Sequence, residues 1–184
     1  MKWTLFLDRD GVINKDLGYV HSFKDFEFLP GFINSLKRLS KFNIDIFIIT
    51  NQSGIARGYF TEDDFNDFML SVHKRLLNEN ILIKKTFYCP HHEDGVIKKY
   101  SVKCDCRKPK PGLINRAIDE FNIDKKKSIF IGDKLTDMAA AESAGIKHKI
   151  LYKKKYAHDN EKTFVSYGSW IKISEYIENN LFKA

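Results

Sequence analysis

WTLFLDRDGVIN, residues 3–14, is the stretch on which the reading of this chain turns. Trp3, Leu5, Phe6 and Leu7 form a short apolar run that reads as a buried strand. The run passes straight into Asp8, Arg9, Asp10 and Gly11, leaving two carboxylates one residue apart at the strand's carboxyl end. Like charges held this close repel one another and disfavour folding unless a cation or a reaction makes use of them.

Outward from this stretch, apolar runs alternate with amphipathic ones. Residues 30–42 read as a helix, with Phe32, Ile33, Leu36 and Leu39 at helical spacing. Residues 45–50 (DIFIIT) are a β-branched run and a second strand. Thr61 heads a helix with Glu62, Asp63 and Asp64 in its first turn, as capping and the macrodipole favour. Its core face is Phe65, Phe68, Met69, Val72, Leu76 and Leu77. Residues 85–89 read as a third strand, 128–131 as a fourth and 149–152 as a fifth. Between them lie a helix over 111–122, facing inward with Leu113, Ile114, Ala117, Ile118 and Phe121, and a short helix over 136–144 stopped by Gly145. Strands alternating with helices predict an α/β fold, a doubly wound Rossmann-like parallel sheet, as one domain over 1–184.

The bulk composition narrows the function classes. No apolar run approaches the roughly 20 residues that a membrane span needs, so no membrane partner is expected. The N-terminal segment enters a strand pattern containing Asp8, so no export signal is expected and a cytoplasmic location follows. A net charge of +7 invites a nucleic-acid reading, but the lysines are scattered, with short clusters at 125–127 and 153–155. Scattered lysines suit a solvated surface, and no nucleic-acid partner is expected.

The strand ends collect the chemistry. The first carries Asp8 and Asp10, the second Thr50, Asn51, Gln52 and Ser53, and the fourth Gly132, Asp133 and Lys134. Arg107 and Lys108 precede the helix at Pro111. Ligands of open α/β sheets bind beyond these carboxyl ends, and massed carboxylates suit Mg²⁺. Asn51–Ser53 also reads as a plain turn after the strand.

In this order, DRDGV, TNQSG, RKPKPG and GDKLTD resemble the haloacid dehalogenase superfamily of phosphotransferases, over about residues 3–152. The finer set DRDGVIN, DLGY, TNQSGIARG, CPHH and CDCRKPKPG is similar to a group within it, the D-glycero-D-manno-heptose 1,7-bisphosphate and histidinol-phosphate phosphatases. The resemblance implies a fold of haloacid dehalogenase type without a large cap domain and with a zinc-bound loop. It implies Mg²⁺-dependent removal of the 7-phosphate of the heptose bisphosphate, in the making of nucleotide-activated heptose for lipopolysaccharide and surface glycans. Histidinol-phosphate hydrolysis is the alternative.

By the same resemblance Asp8 is the nucleophile that forms an aspartyl-phosphate, and Asp10 the acid and base. Mg²⁺ is held by Asp8, Asp10 through its backbone carbonyl, and Asp133. Thr50 and Lys108 hold the phosphoryl oxygens and Arg107 recognises the substrate. Asn14, Asp16, Leu17, Gly18, Tyr19, Asn51, Gln52, Ser53 and Lys134 match positions around a small sugar-phosphate substrate, Leu17 standing where a polar residue is common. Asp137 is open between a helix N-terminal charge, a partner of the metal ligands and a ligand itself.

All three cysteines fall in one window, as Cys89-Pro-His91 and Cys104-Asp-Cys106. Paired thiolates and an imidazole at this spacing suit a closed, structural zinc site. It would pin the polar stretch 91–110, too long for an ordinary connection, and place Arg107 and Lys108. His92 is the rival imidazole, and the family pattern favours His91. His21, His73, His148 and His158 show no clustering and are expected at the surface. Two other readings share some of these features: a phosphorelay receiver and a nucleic-acid 3′-phosphatase. The first lacks a use for Asp10 and the cysteine loop, and the second demands salt-dependent oligonucleotide binding. A monomer is expected.

Overall fold

A computed structural model describes residues 2–153 and 163–182. Its elements are β1 (Trp3–Leu7), α1 (Phe32–Leu39), β2 (Ile44–Asn51), α2 (Glu62–Asn78), β3 (Ile83–Cys89), α3 (Gly112–Phe121), β4 (Ser128–Gly132), α4 (Leu135–Ser143), β5 (His148–Tyr152), β6 (Val165–Tyr167) and α5 (Trp170–Ile177). The strands form a six-stranded sheet in the order β3-β2-β1-β4-β5-β6, and every pairing is parallel. This is a doubly wound α/β sheet of Rossmann type. The chain runs outward from β1 to β3, then returns to β1's other flank and runs outward again to β6. The crevice between β1 and β4 is therefore the place where the winding reverses, and that is where ligands sit in such sheets.

Alternation along the strands divides the core in two. Leu5 and Leu7 of β1, Ile46 and Ile48 of β2, and Ile129 and Ile131 of β4 face the layer shared with α1, α2 and α5. Phe6, Phe47, Ile49 and Phe130 point the other way, against Leu113, Ile114 and Ala117 of α3 and Met138 and Ala141 of α4. A period of two with apolar residues at both phases marks a strand buried on both faces. Each such side chain contributes about 1.5–3 kcal/mol when fully buried.

Differences from expectation lie at helix margins and the C-terminal end. Leu77 is 56% exposed and Phe121 38%, so neither belongs to the inward face. Leu77 follows buried Leu76, and a step of one residue rotates a side chain about 100° off the stripe. Phe121 ends α3 and lies edge-on to Phe47, ring centroids 4.8 Å apart, at the margin of the core. No element was expected beyond residue 152, yet β6 and α5 are present. Ser169 caps α5, and Trp170, Ile173 and Ile177 are buried one and two turns apart. Three histidines are half-buried rather than at the surface: His73 meets Thr86 Oγ1 at 2.8 Å, His148 packs on Trp3 and His21 stacks on Phe60. His158 and residues 154–155 of the second lysine cluster lie outside the described residues. Among the described residues no helix is long and apolar enough to cross a membrane.

Candidate active site

β1 ends at Leu7, and the Asp8 N–H donates to Ile131 O of β4 at 2.9 Å, so Asp8 is tied across the crevice. The chain then turns over the Arg9 carbonyl, which accepts from the N–H groups of Val12, Ile13 and Asn14. Gly11 makes the turn at φ +82, where a Cβ would lie 2.4 Å from Asp133 Oδ2. A Cβ on Gly132 would sit 2.3 Å from Asp137 Cβ. Both glycines are thus needed to bring the two loops and their acids together.

Asp8, Asp133 and Asp137 bring carboxylate oxygens within 4.8 Å of one another. Lys108 enters this group from the segment before α3, only 4% exposed. Its Nζ lies 2.8 Å from Asp8 Oδ1 and 2.7 Å from Asp137 Oδ1, and donates to Ile49 O at 2.9 Å. Asn51, at the end of β2, holds the Lys108 backbone on both sides: its Oδ1 accepts from the Lys108 N–H and its Nδ2 donates to the Lys108 carbonyl, each at 3.1 Å. Burial, with Asp137 and Asp133 adding to it, pushes the Asp8 carboxyl up to about 7 against the pull of Lys108. Burial likewise lifts Asp133 to about 6. Burial alone would lower the Lys108 ammonium, but Asp8 and Asp137 outweigh it and hold it above the ordinary lysine range.

Three acids against one buried lysine leave a deficit of positive charge, and Asp133 Oδ1 is buried without a hydrogen-bond partner. An all-oxygen group with one unsatisfied carboxylate oxygen fits a hard divalent cation such as Mg²⁺. Asp137 is already engaged on both oxygens, with Lys108 on one and the Lys134 N–H on the other at 3.0 Å. It stands 1% exposed at the head of α4, holding the lysine in place.

Asp10 points into a cavity of about 500 Å³ that also exposes Asp8, Thr50 and Lys108. Asn14 Nδ2 and Gln52 Nε2 donate to its carboxylate at 3.0 and 3.1 Å, and Gln52 also reaches Thr50 Oγ1 at 2.8 Å. Asp16, Gly18 and Tyr19 line one side, while Asn51, Gln52, Ser53, Arg107 and Lys134 line the rest with Thr136 and Asp137. Asp16 Oδ2 meets Lys134 Nζ at 3.2 Å, joining two lining residues from opposite halves of the sheet. Asn14 is buried beneath Asp10, and Leu17 is 63% exposed and turned to solvent; neither lines the cavity. Sequence reasoning assigned nothing to Thr136 or to Arg9, whose charge inside an otherwise buried run was the available signal.

A second cluster stands at the end of β3. The Cys89 Sγ lies 3.6 Å from Cys104 Sγ and 3.0 Å from Cys106 Sγ, and the His91 Nδ1 is 3.6 Å from Cys89 and 3.3 Å from Cys106. Ligand atoms around tetrahedral zinc sit about 3.3–3.8 Å apart, so the donor set and three of these four spacings fit that ion, while Cys89 and Cys106 stand closer than it would hold them. His92 is turned away, its Nε2 3.2 Å from Arg57 Nη2. The loop is also fastened by protein contacts: Tyr100 donates its hydroxyl to Glu62 at the head of α2, and the Val96 and Ile97 N–H groups donate to Ala56 O at 2.8 and 2.9 Å. The Cys/His window is thereby tied to the loop that follows Gln52 and Ser53 and to the head of α2.

The sequence profile of the haloacid dehalogenase-like hydrolases matches residues 4–145. A D-glycero-beta-D-manno-heptose-1,7-bisphosphate 7-phosphatase of Pasteurella multocida is 44% identical over 164 residues, 88% of this chain and 89% of its own. One of Escherichia coli K12 is 43% identical over 148 residues, 80% of this chain and 78% of its own. The crystal structure of D,D-heptose 1.7-bisphosphate phosphatase from B. bronchiseptica, complexed with magnesium and phosphate, superposes with a TM-score of 0.84 at 28% identity, covering 99% of both chains.

Proposed function

The chain belongs to the haloacid dehalogenase-like hydrolase family, and from that premise we propose that it is a Mg²⁺-dependent phosphatase removing the 7-phosphate of D-glycero-D-manno-heptose 1,7-bisphosphate. The observation that carries the reaction type is Asp8 on the cavity floor, gripped by Lys108 and beside the unsatisfied Asp133 oxygen. The substrate rests on the relatives, whose names specify the β anomer.

Asp8 attacks phosphorus in line; the bond to the sugar oxygen breaks as Asp10 delivers a proton to it, leaving an aspartyl-phosphate. Asp10 then takes a proton from water, the water oxygen bonds to phosphorus, and Asp8 departs with orthophosphate released. Lys108 and Thr50 hold the phosphoryl oxygens as charge builds on them. Mg²⁺, held by Asp8, Asp133 and the Asp10 carbonyl, would neutralise charge on the transferring group. Arg107 and Lys134 supply cations on the cavity wall, suited to a substrate that keeps a second phosphate. Asp16 and Tyr19 face the sugar. The enzyme acts as a cytoplasmic, monomeric, one-domain protein in nucleotide-activated heptose synthesis.

Phosphate release from both heptose bisphosphate anomers, histidinol phosphate and a 3′-phosphorylated oligonucleotide tests this. The β anomer should lead by about tenfold or more in kcat/KM, the scale a few well-placed contacts provide. Preference for histidinol phosphate or the oligonucleotide would overturn the substrate. Zinc at Cys89, His91, Cys104 and Cys106 would be structural, because the four leave no open position. Freshly purified protein should carry about one zinc per chain, and Cys106→Ser should lose it with a lower melting temperature. Metal analysis finding far less in the parent protein would remove the zinc.

A further inference from the structure

Arg9 lies between the two acids of DRDG and is 0% exposed. Its Nε lies 3.2 Å from both Asp10 oxygens, and its Nη2 lies 2.9 and 2.8 Å from the same two atoms. Nη2 also donates to Val20 O at 2.6 Å. The guanidinium rests against Phe65 and Phe68 of α2, with its carbon 5.7 and 5.3 Å from their ring centroids. A buried charge used only as filler is replaceable by an apolar side chain, often with a gain in stability. Here the polar contacts among the described residues go to one carboxylate and to the carbonyl that steers the fork toward it.

A carboxylate offers about four acceptor positions, and Asp10 fills them with two nitrogens of Arg9, Asn14 and Gln52. Arg9 and Asn14 are fully buried behind it, whereas Gln52 lines the cavity. The bond from Gln52 is the one that a leaving oxygen or a water can replace. The bonds from behind persist through the reaction and keep the carboxyl aimed.

We propose that Arg9 is the positioning residue for the acid and base at Asp10, its fork held in place by Val20 O and by the rings of Phe65 and Phe68. The inference rests on the phosphatase reading. Removing Arg9 should slow the steps that need Asp10 and spare the one that does not. With an aryl phosphate, attack by Asp8 expels a phenolate that leaves with its electron pair and needs no proton. Hydrolysis of the aspartyl-phosphate still needs a water proton removed. Rapid mixing of Arg9→Met and Arg9→Lys with p-nitrophenyl phosphate and Mg²⁺ should therefore give a burst near one phenolate per chain. Slow turnover should follow, about 10²-fold below the parent protein.

Turnover of both variants within about threefold of the parent, far less than proton-transfer catalysis is worth, would overturn the proposal. So would a variant that melts like the parent but loses burst and turnover together, because Arg9 would then serve Asp8 or the fold. If neither variant folds, Phe68→Leu decides: reduced turnover with a retained burst supports the role, and parental turnover overturns it. A parent protein that releases no phenolate, or an Asp8→Asn variant that still does, would count against the phosphatase reading instead.

Discussion

Asp8→Asn is expected to abolish phosphate release, by about 10⁴-fold or more, while leaving the protein folded and somewhat harder to melt. An amide cannot form the aspartyl-phosphate, so the loss should appear in turnover whatever the leaving group. The stability gain has a separate cause. Asp8 is buried with Asp137 and Asp133 nearby, and its carboxyl is pushed up to about 7, so its ionised form is disfavoured where it stands. An amide oxygen can still accept from Lys108 and from the Arg9 N–H, which now meets Asp8 Oδ1 at 2.8 Å. The checks are phosphate release and a thermal melt without added metal. Full activity in Asp8→Asn would sink the mechanism.

Lys108→Met should combine a catalytic loss of about 10³-fold with a stability loss of about 3–5 kcal/mol, the range seen when one partner of a buried ion pair is removed. The two effects share an origin. Lys108 Nζ satisfies Asp8 and Asp137 at once, and without it two buried carboxylates face each other with no intervening charge. A change of that size lowers the melting temperature by about 10 °C in a chain of this length. The double variant Lys108→Met/Asp137→Leu should regain much of the stability and none of the activity. That pattern separates the electrostatic role from packing. An unchanged melting temperature in Lys108→Met would mean that the triad is not the electrostatic centre of the site.

How far the sequence was legible follows from the range of the forces involved. The strands and their carboxyl ends could be read because apolar runs and turn residues are local signals, and the parallel sheet follows from their alternation with helices. The helix after residue 169 carries its own cap and apolar spacing in WIKISEYI and went unassigned, so that signal was present and unused. Other features depend on partners distant in sequence. Arg9 finds Val20, Phe65 and Phe68 only once α2 packs on β1. Asp137 could not be placed until Lys108, 29 positions earlier, proved to bridge it to Asp8. Asn14 sits close to the motif acids in sequence, but only the turn over the Arg9 carbonyl shows that it lies beneath Asp10 rather than in the cavity.

Trp170 is fully buried against Phe32 and donates its indole N–H to Val12 O at 2.7 Å. Val12 is two residues past Asp10, so the first side chain of α5 clamps the very turn that presents the acid. The profile match ends at residue 145, and every motif residue lies before that point. A fragment cut there would retain the full chemical inventory and forfeit the brace that keeps its key turn in shape. The support of the catalytic turn therefore reaches at least to Trp170, well downstream of the last recognisable motif.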